Sequence, residues 1–190
     1  MVPGEEPADR FIYDPNAPVP TCGGNTLIIP MGVQDQRQVE TRQDVLVYTS
    51  TPLTTPLEVT GPLVVTLFVA SSAPDTDFTA KLVDVRPDGY AQNLADGIMR
   101  ARYRTSRMIP TLLTPGQVHE LTIDLWATSH VFLPGHSLRL EIASSNFPRF
   151  DRNLNTGEDQ ATGSRWQIAA QTIFHDQRYP SHILLPVIPR

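Results

Sequence analysis

The chain has 190 residues, 40% of them hydrophobic and 18% charged, with a formal net charge of −5. That length suits one domain with a sizeable core, and the composition excludes a disordered chain. The acidic balance removes any electrostatic reason to expect nucleic acid or an anionic membrane as a partner.

Eighteen prolines, against a usual share of about 5%, disfavour long helices, because proline lacks the N–H and clashes with the preceding turn. No apolar run approaches the roughly 18 residues that a spanning helix needs. The start, "MVPGEEPADRF", has no basic stretch ahead of an apolar one and does not read as a signal peptide. Cys22 is the single cysteine, so nothing points to an oxidising compartment, and a cytoplasmic location is expected.

In chain order, residues 1–24 read as an extended arm rather than a packed element, with Pro15, Pro18 and Pro20 holding it near the polyproline conformation. After Gly23 and Gly24 the character changes, and residues 25–190 read as one β domain. "TLII" (26–29), "DVLVYTS" (44–50), "LEVTG" (57–61) and "PLVVTLFVAS" (62–71) are short runs rich in β-branched residues, bounded by Pro, Gly and Asp. "FTAKLVDVR" (78–86), "GIMRARYR" (97–104), "HELTIDLWA" (119–127), "SLRLEIASS" (137–145), "QTIFH" (171–175) and "SHILLPVI" (181–188) follow. Leu121, Ile123 and Leu125 alternate with Glu120, Thr122 and Asp124, and Leu138, Leu140 and Ile142 alternate with Arg139 and Glu141. Both patterns predict half-buried strands. "LVVTLFVA" is apolar on both faces and belongs mid-sheet, and "RPDGY" (86–90) carries the Asp-Gly signal of a tight hairpin. About ten strands without helices predict an all-β, two-sheet sandwich of jelly-roll or immunoglobulin-like topology.

Several clusters invite a chemical reading. Gly135-His136-Ser137 matches the first three letters of a serine nucleophile elbow, but Arg139 stands where the second glycine belongs and a strand pattern follows, so a turn is expected. The histidines, His119, His130, His136, His175 and His182, show no H-x-H pair or H-E-x-x-H signature. They are read as hydrogen-bonded or surface groups, and no metal or cofactor is expected. Asp75, Asp77 and Asp84 offer too few oxygens for calcium and read as turn or capping groups. Arg100, Arg102 and Arg104 alternate along one strand face, which points to ion pairs with a neighbouring strand or domain. The richest polar segment, "SSNFPRFDRNLNTGED" (144–159), could line a ligand site or organise a surface.

"FIYDPNAPVPTCGGN" (11–25), "DTDFTAKLVDVRPDG" (75–89), "LADGIMRARYR" (94–104), "ATSHVFLPGHSLRLEIASSNFPRFDRNLNTG" (127–157) and "PSHILLPVIPR" (180–190) together resemble one known domain. It is the C-terminal jelly roll of the X-prolyl dipeptidyl-peptidase, cocaine esterase and α-amino-acid ester hydrolase family. The resemblance implies a galactose-binding-like jelly-roll sandwich that is no enzyme on its own. The Ser, Asp and His triad of the parent would lie in an α/β-hydrolase domain carried in cis, to which residues 1–24 would connect. It also implies that this domain packs on the hydrolase, walls its active-site cleft and supports homo-oligomers. By motif position, Leu27 and Ile28 would face the substrate pocket, with plain strand core as the other reading of the two. Asn146, Arg149, Asp151, Arg152, Asn153 and Asn155 would organise the sandwich end or the interdomain contact. A different class of function, a free-standing carbohydrate-binding module, would rest on Trp126 or Trp166 as a stacking platform.

Overall fold

The computed structural model describes residues 3–27 and 30–189. Among them are nine strands: β1 (Asp9–Tyr13), β2 (Leu46–Thr49), β3 (Leu57–Ser71), β4 (Asp77–Val85), β5 (Ala91–Arg100), β6 (His119–Phe132), β7 (Ser137–Ala143), β8 (Ala169–Phe174) and β9 (His182–Leu184). They form two antiparallel sheets that face each other. One runs β1-β8-β3-β6, with β9 also paired to β3, and the other runs β2-β7-β4-β5. Successive strands repeatedly cross from one sheet to the other, as in a jelly roll.

The period-two patterns have their physical counterpart in the core. Leu121, Ile123 and Leu125 are buried from β6, and Leu63, Val65, Leu67 and Val69 from β3. Phe78, Ala80, Leu82 and Ile142 meet them from the second sheet. Each large apolar side chain so enclosed contributes about 1.5–3 kcal/mol. Leu138 and Leu140 pack on this core but stay half-buried. At one edge the two sheets touch: a Cβ on Gly97 of β5 would lie 2.1 Å from the Asp124 carbonyl oxygen of β6. Only a residue without a side chain fits that approach.

The structure departs from the sequence reading in five places. Asp9–Tyr13, expected as part of an unpacked arm, is strand β1, paired with β8 and burying Phe11 and Tyr13. Residues 57–71 are one strand rather than two, because a bulge between Pro62 and Val64 takes up the proline's missing donor. A single helical turn, α1 (Arg37–Glu40), occurs where no helix was expected. The Ala91 to Arg100 strand starts earlier than expected and gives way to a 3₁₀ turn, Ala101–Tyr103, so Arg100, Arg102 and Arg104 do not share one strand face. Finally, Thr26 and Leu27 form no strand, while Ile28 and Ile29 lie outside the described residues.

Candidate functional site

The segment after the double glycine has a fixed base and, among its described residues, exposed apolar side chains. Gly24 and Gly32 exchange two backbone hydrogen bonds of 2.8 Å, closing residues 24–32 on themselves. Gln36, fully buried, holds both stems: its amide nitrogen donates to the Cys22 and Gln34 carbonyls at 3.0 Å each. Asn93 of β5 accepts from the Gln34 N–H at 2.6 Å and donates to the Gly32 carbonyl at 3.3 Å. On the other flank Asp96 receives the Asn146 amide at 2.9 Å and the Arg149 guanidinium, which stacks so close to Gly24 that a Cβ there would meet its Nη1 at 2.9 Å. The backbone N–H of Arg149 in turn donates to the Thr21 hydroxyl at 3.1 Å.

Next to this base lies a charge stack built around the buried Glu141. Lys81 of β4 donates to the Gln36 side-chain oxygen at 2.6 Å and to Glu141 of β7 at 3.0 Å. Glu40 is paired with Arg139 at 2.7 Å, and burial pushes the Glu141 carboxyl up to about 7, with Lys81 opposing and Glu40 adding to the rise. Burial also raises the Cys22 thiol, whose Sγ lies 3.5 Å from the Asp35 carbonyl.

The described residues further along the segment contrast with the base. Leu27 is 89% exposed, and Met31 and Val33 stand more than half out in solvent. Core burial, one of the two readings of Leu27, is therefore excluded; Ile28 lies outside the described residues. Beside the loop is a hollow of about 310 Å³ bordered by Gly24, Asn25, Val33, Asp96 and Trp126. Trp126 is 70% exposed and sits in the left-handed backbone region at φ 68°, held there by the Asp124 carboxylate, which accepts its N–H at 2.8 Å. A non-glycine residue in that region costs on the order of 1–3 kcal/mol, and the bulge opposite Pro62 is what turns the indole outward.

The polar segment 146–155 binds its own chain. Arg152 donates to the Pro15 carbonyl at 2.7 Å, and Asp151 pairs with Arg100 at 3.0 Å. Asn153, fully buried, donates to both Asp75 and Asp77 at 2.7 and 2.8 Å, and Asn155 donates to the Gln167 carbonyl at 2.8 Å. Arg100 grips Asp77 of the neighbouring β4, and Arg102 grips Asp75, so these carboxylates face guanidinium groups rather than an open cation site. Arg104 donates to the Ala101 and Thr111 carbonyls.

These elements match known proteins. The family described as the X-Pro dipeptidyl-peptidase C-terminal non-catalytic domain matches residues 5–184. The chain belongs to that family. It is 50% identical over 193 residues to the cocaine esterase of Rhodococcus sp. (strain MB1 Bresler), covering all of this chain and 34% of that protein. The structure superposes on an aminopeptidase from the marine sediment archaeon Thaumarchaeota archaeon with a TM-score of 0.91 at 33% identity, covering 100% of this chain and 34% of that one. It superposes on an α-amino acid ester hydrolase with a TM-score of 0.88 at 32% identity, covering 97% and 33%. The chain thus spans about a third of the length of these relatives.

As a non-catalytic domain of this family, the chain uses its Gly-His-Ser letters structurally. The His136 N–H closes a turn onto the Leu133 carbonyl at 3.1 Å, and Ser137 begins β7. The buried Asp84 carboxylate meets His136 Nδ1 at 2.8 Å and His130 Nε2 at 2.9 Å, tying β4, β6 and the turn together. Among the described residues, no hydrogen bond joins the Ser137 hydroxyl to either ring, and no helix is long and apolar enough to cross a membrane. Gln36, Asn93 and Asp96 carry no sequence signal of this role, and Glu141, expected on the polar face of its strand, is buried instead. Lys81 alone carried a visible signal there, a sole lysine inside an apolar strand. Asn93 and Asp96, which line the hollow with Asn25 and Trp126, are engaged in hydrogen bonds to the loop and to Asn146.

Proposed function

We propose that this domain is the accessory part of a serine ester or X-Pro peptide hydrolase, packing on an α/β-hydrolase domain in cis and walling one side of its active-site cleft. The observation that carries the reading is the loop of residues 24–32. Its base is fixed by hydrogen bonds from Gln36, Asn93 and Arg149, while Leu27 and Met31 are held out in solvent. An ordered base that presents apolar side chains to water is what a contact with another surface requires. Relatives named as an esterase, an ester hydrolase and an aminopeptidase, each about three times as long, support placing the chemistry in preceding polypeptide. The same resemblance extends to this chain a role in supporting oligomers.

The test is the complete hydrolase polypeptide with Leu27→Ser. Losing one apolar contact to substrate or cleft is worth about 1–3 kcal/mol, or roughly 10–200-fold, so kcat/KM should fall by at least several-fold while the domain's melting temperature stays put, Leu27 being exposed within it. Unchanged kcat/KM would overturn the wall assignment. The isolated chain should not turn over esters, and an esterase activity abolished by Ser137→Ala would overturn the accessory reading altogether.

A further inference from the structure

A large apolar hollow lies not beside the candidate loop but between the two sheets. It measures about 570 Å³ and reaches down to Leu67, Leu82, Ile142 and Ile173, with Leu138 and Ile183 on its walls. Protein interiors are close-packed, with few voids larger than a water molecule, so an apolar space of this size inside a sandwich asks for an occupant. The asymmetry of the fold says where it opens. At the β5 and β6 edge the sheets touch through Gly97, and Leu121, Ile123 and Leu125 are sealed. At the opposite side Leu46, Tyr48, Leu138 and Leu140 face inward yet remain half-buried. The mouth lies between β2 and β9. Among the described residues β2 pairs only with β7 and β9 only with β3, so each strand has a free edge beside the opening.

The shape and chemistry of this gap are those of an extended peptide. Apolar side chains are wanted between the sheets, and backbone N–H and C=O groups are wanted along a strand edge. The start of the described chain stands at its rim. Pro3 and Glu6 line it, the Gln177 N–H donates to the Gly4 carbonyl at 3.0 Å, and His175 contacts Glu6 at 3.1 Å. In proteins of which this family forms a C-terminal domain, the preceding polypeptide is therefore delivered to the groove at high effective concentration. We infer that the groove seats an apolar, extended segment of the polypeptide that precedes this domain in the parent hydrolase, added as a further strand between β2 and β9. The inference rests on the reading above that the chain is the C-terminal part of such a hydrolase.

The experiment compares the chain alone with the complete hydrolase polypeptide. The apolar dye 8-anilinonaphthalene-1-sulfonate should fluoresce several-fold more with the chain alone than with an equal concentration of the complete protein. Ile183→Trp should raise the melting temperature of the chain alone by filling the void, and should lower it in the complete protein, where the space is taken. The same sign in both, or undiminished dye binding by the complete protein, would overturn the inference and leave a site open to small apolar molecules. Dye binding that vanishes as the chain alone dimerises in sedimentation would overturn it in favour of a second copy. The dye comparison needs no variant, so a misfolded tryptophan variant does not remove the test. Failure here leaves the Leu27 result standing, and failure of the Leu27 test leaves the dye comparison standing, so the two ideas fail separately.

Discussion

Lys81 is the only lysine among fifteen basic residues, and it lies half-buried between Gln36 and Glu141. One oxygen each of Glu40 and Glu141 is buried without a hydrogen-bond partner, so two carboxyl groups share this site and burial favours a proton on Glu141. The consequence for stability has a definite sign. Glu141 titrates near the ordinary 4.5 in the unfolded chain and near 7 in the folded one, so between those values the folded state holds the extra proton. Stability is therefore greatest below about 4.5 as far as this group is concerned, and is lost as pH rises through about 7. Glu141→Gln, whose amide can donate to Glu40 and whose oxygen can still accept from Lys81, should flatten that slope. Melting temperatures of both proteins from pH 4.5 to 8 check it, at about 2–4 °C per kcal/mol for a chain of this size. A slope equal in the two would assign the pH dependence to other groups.

Among the elements, β5 and β6 show how much depends on one close approach. Gly97→Ala would push a methyl group into the Asp124 carbonyl, a backbone atom that cannot swing away, in the bulge that carries Trp126. Overpacking of this kind costs about 1–3 kcal/mol, and urea denaturation should show it as a lower midpoint with unchanged slope. Such elements differ in how far the sequence discloses them. β6 is legible because one face is core and the other water, which writes period two into the residues. β1 was not, because Asp9–Tyr13 becomes a strand only through pairing with residues 169–173, and no local signal names a partner so distant. The beginning of β5, "AQNLAD", lacks β-branched residues and is made a strand by β4 alongside. Residues 101–103 misled in the other direction: arginine alternation suggested a strand, but the Asp75 carboxylate accepts the Arg102 N–H at 3.0 Å and bends the chain into a turn. At the site, the double glycine marked the loop, while Gln36 and Asp96, which fix it, have no signature outside the folded geometry.

At the scale of the whole molecule, a single core joins both sheets, with Val65 and Ile123 from one and Phe78 and Ile142 from the other. Neither sheet has an apolar interior of its own, so the two should be lost together. Far-ultraviolet circular dichroism and the near-ultraviolet aromatic signal, to which the enclosed Tyr13 contributes, should give one coincident urea transition. Two separated transitions would mean that one sheet survives the other.

The pairing of β1 with β8 reaches beyond equilibrium stability into biosynthesis. The first strand of the sequence waits for nearly the last: Tyr13 pairs with Ala169 and Asp9 with Ile173. At a translation rate of about 5–20 residues per second, that interval is on the order of ten seconds. Throughout it, Phe11 and Tyr13 have left the ribosome with no sheet to join. The sheet cannot close until residues 169–173 have been made, and Phe11 and Tyr13 depend until then on whatever shields a nascent chain.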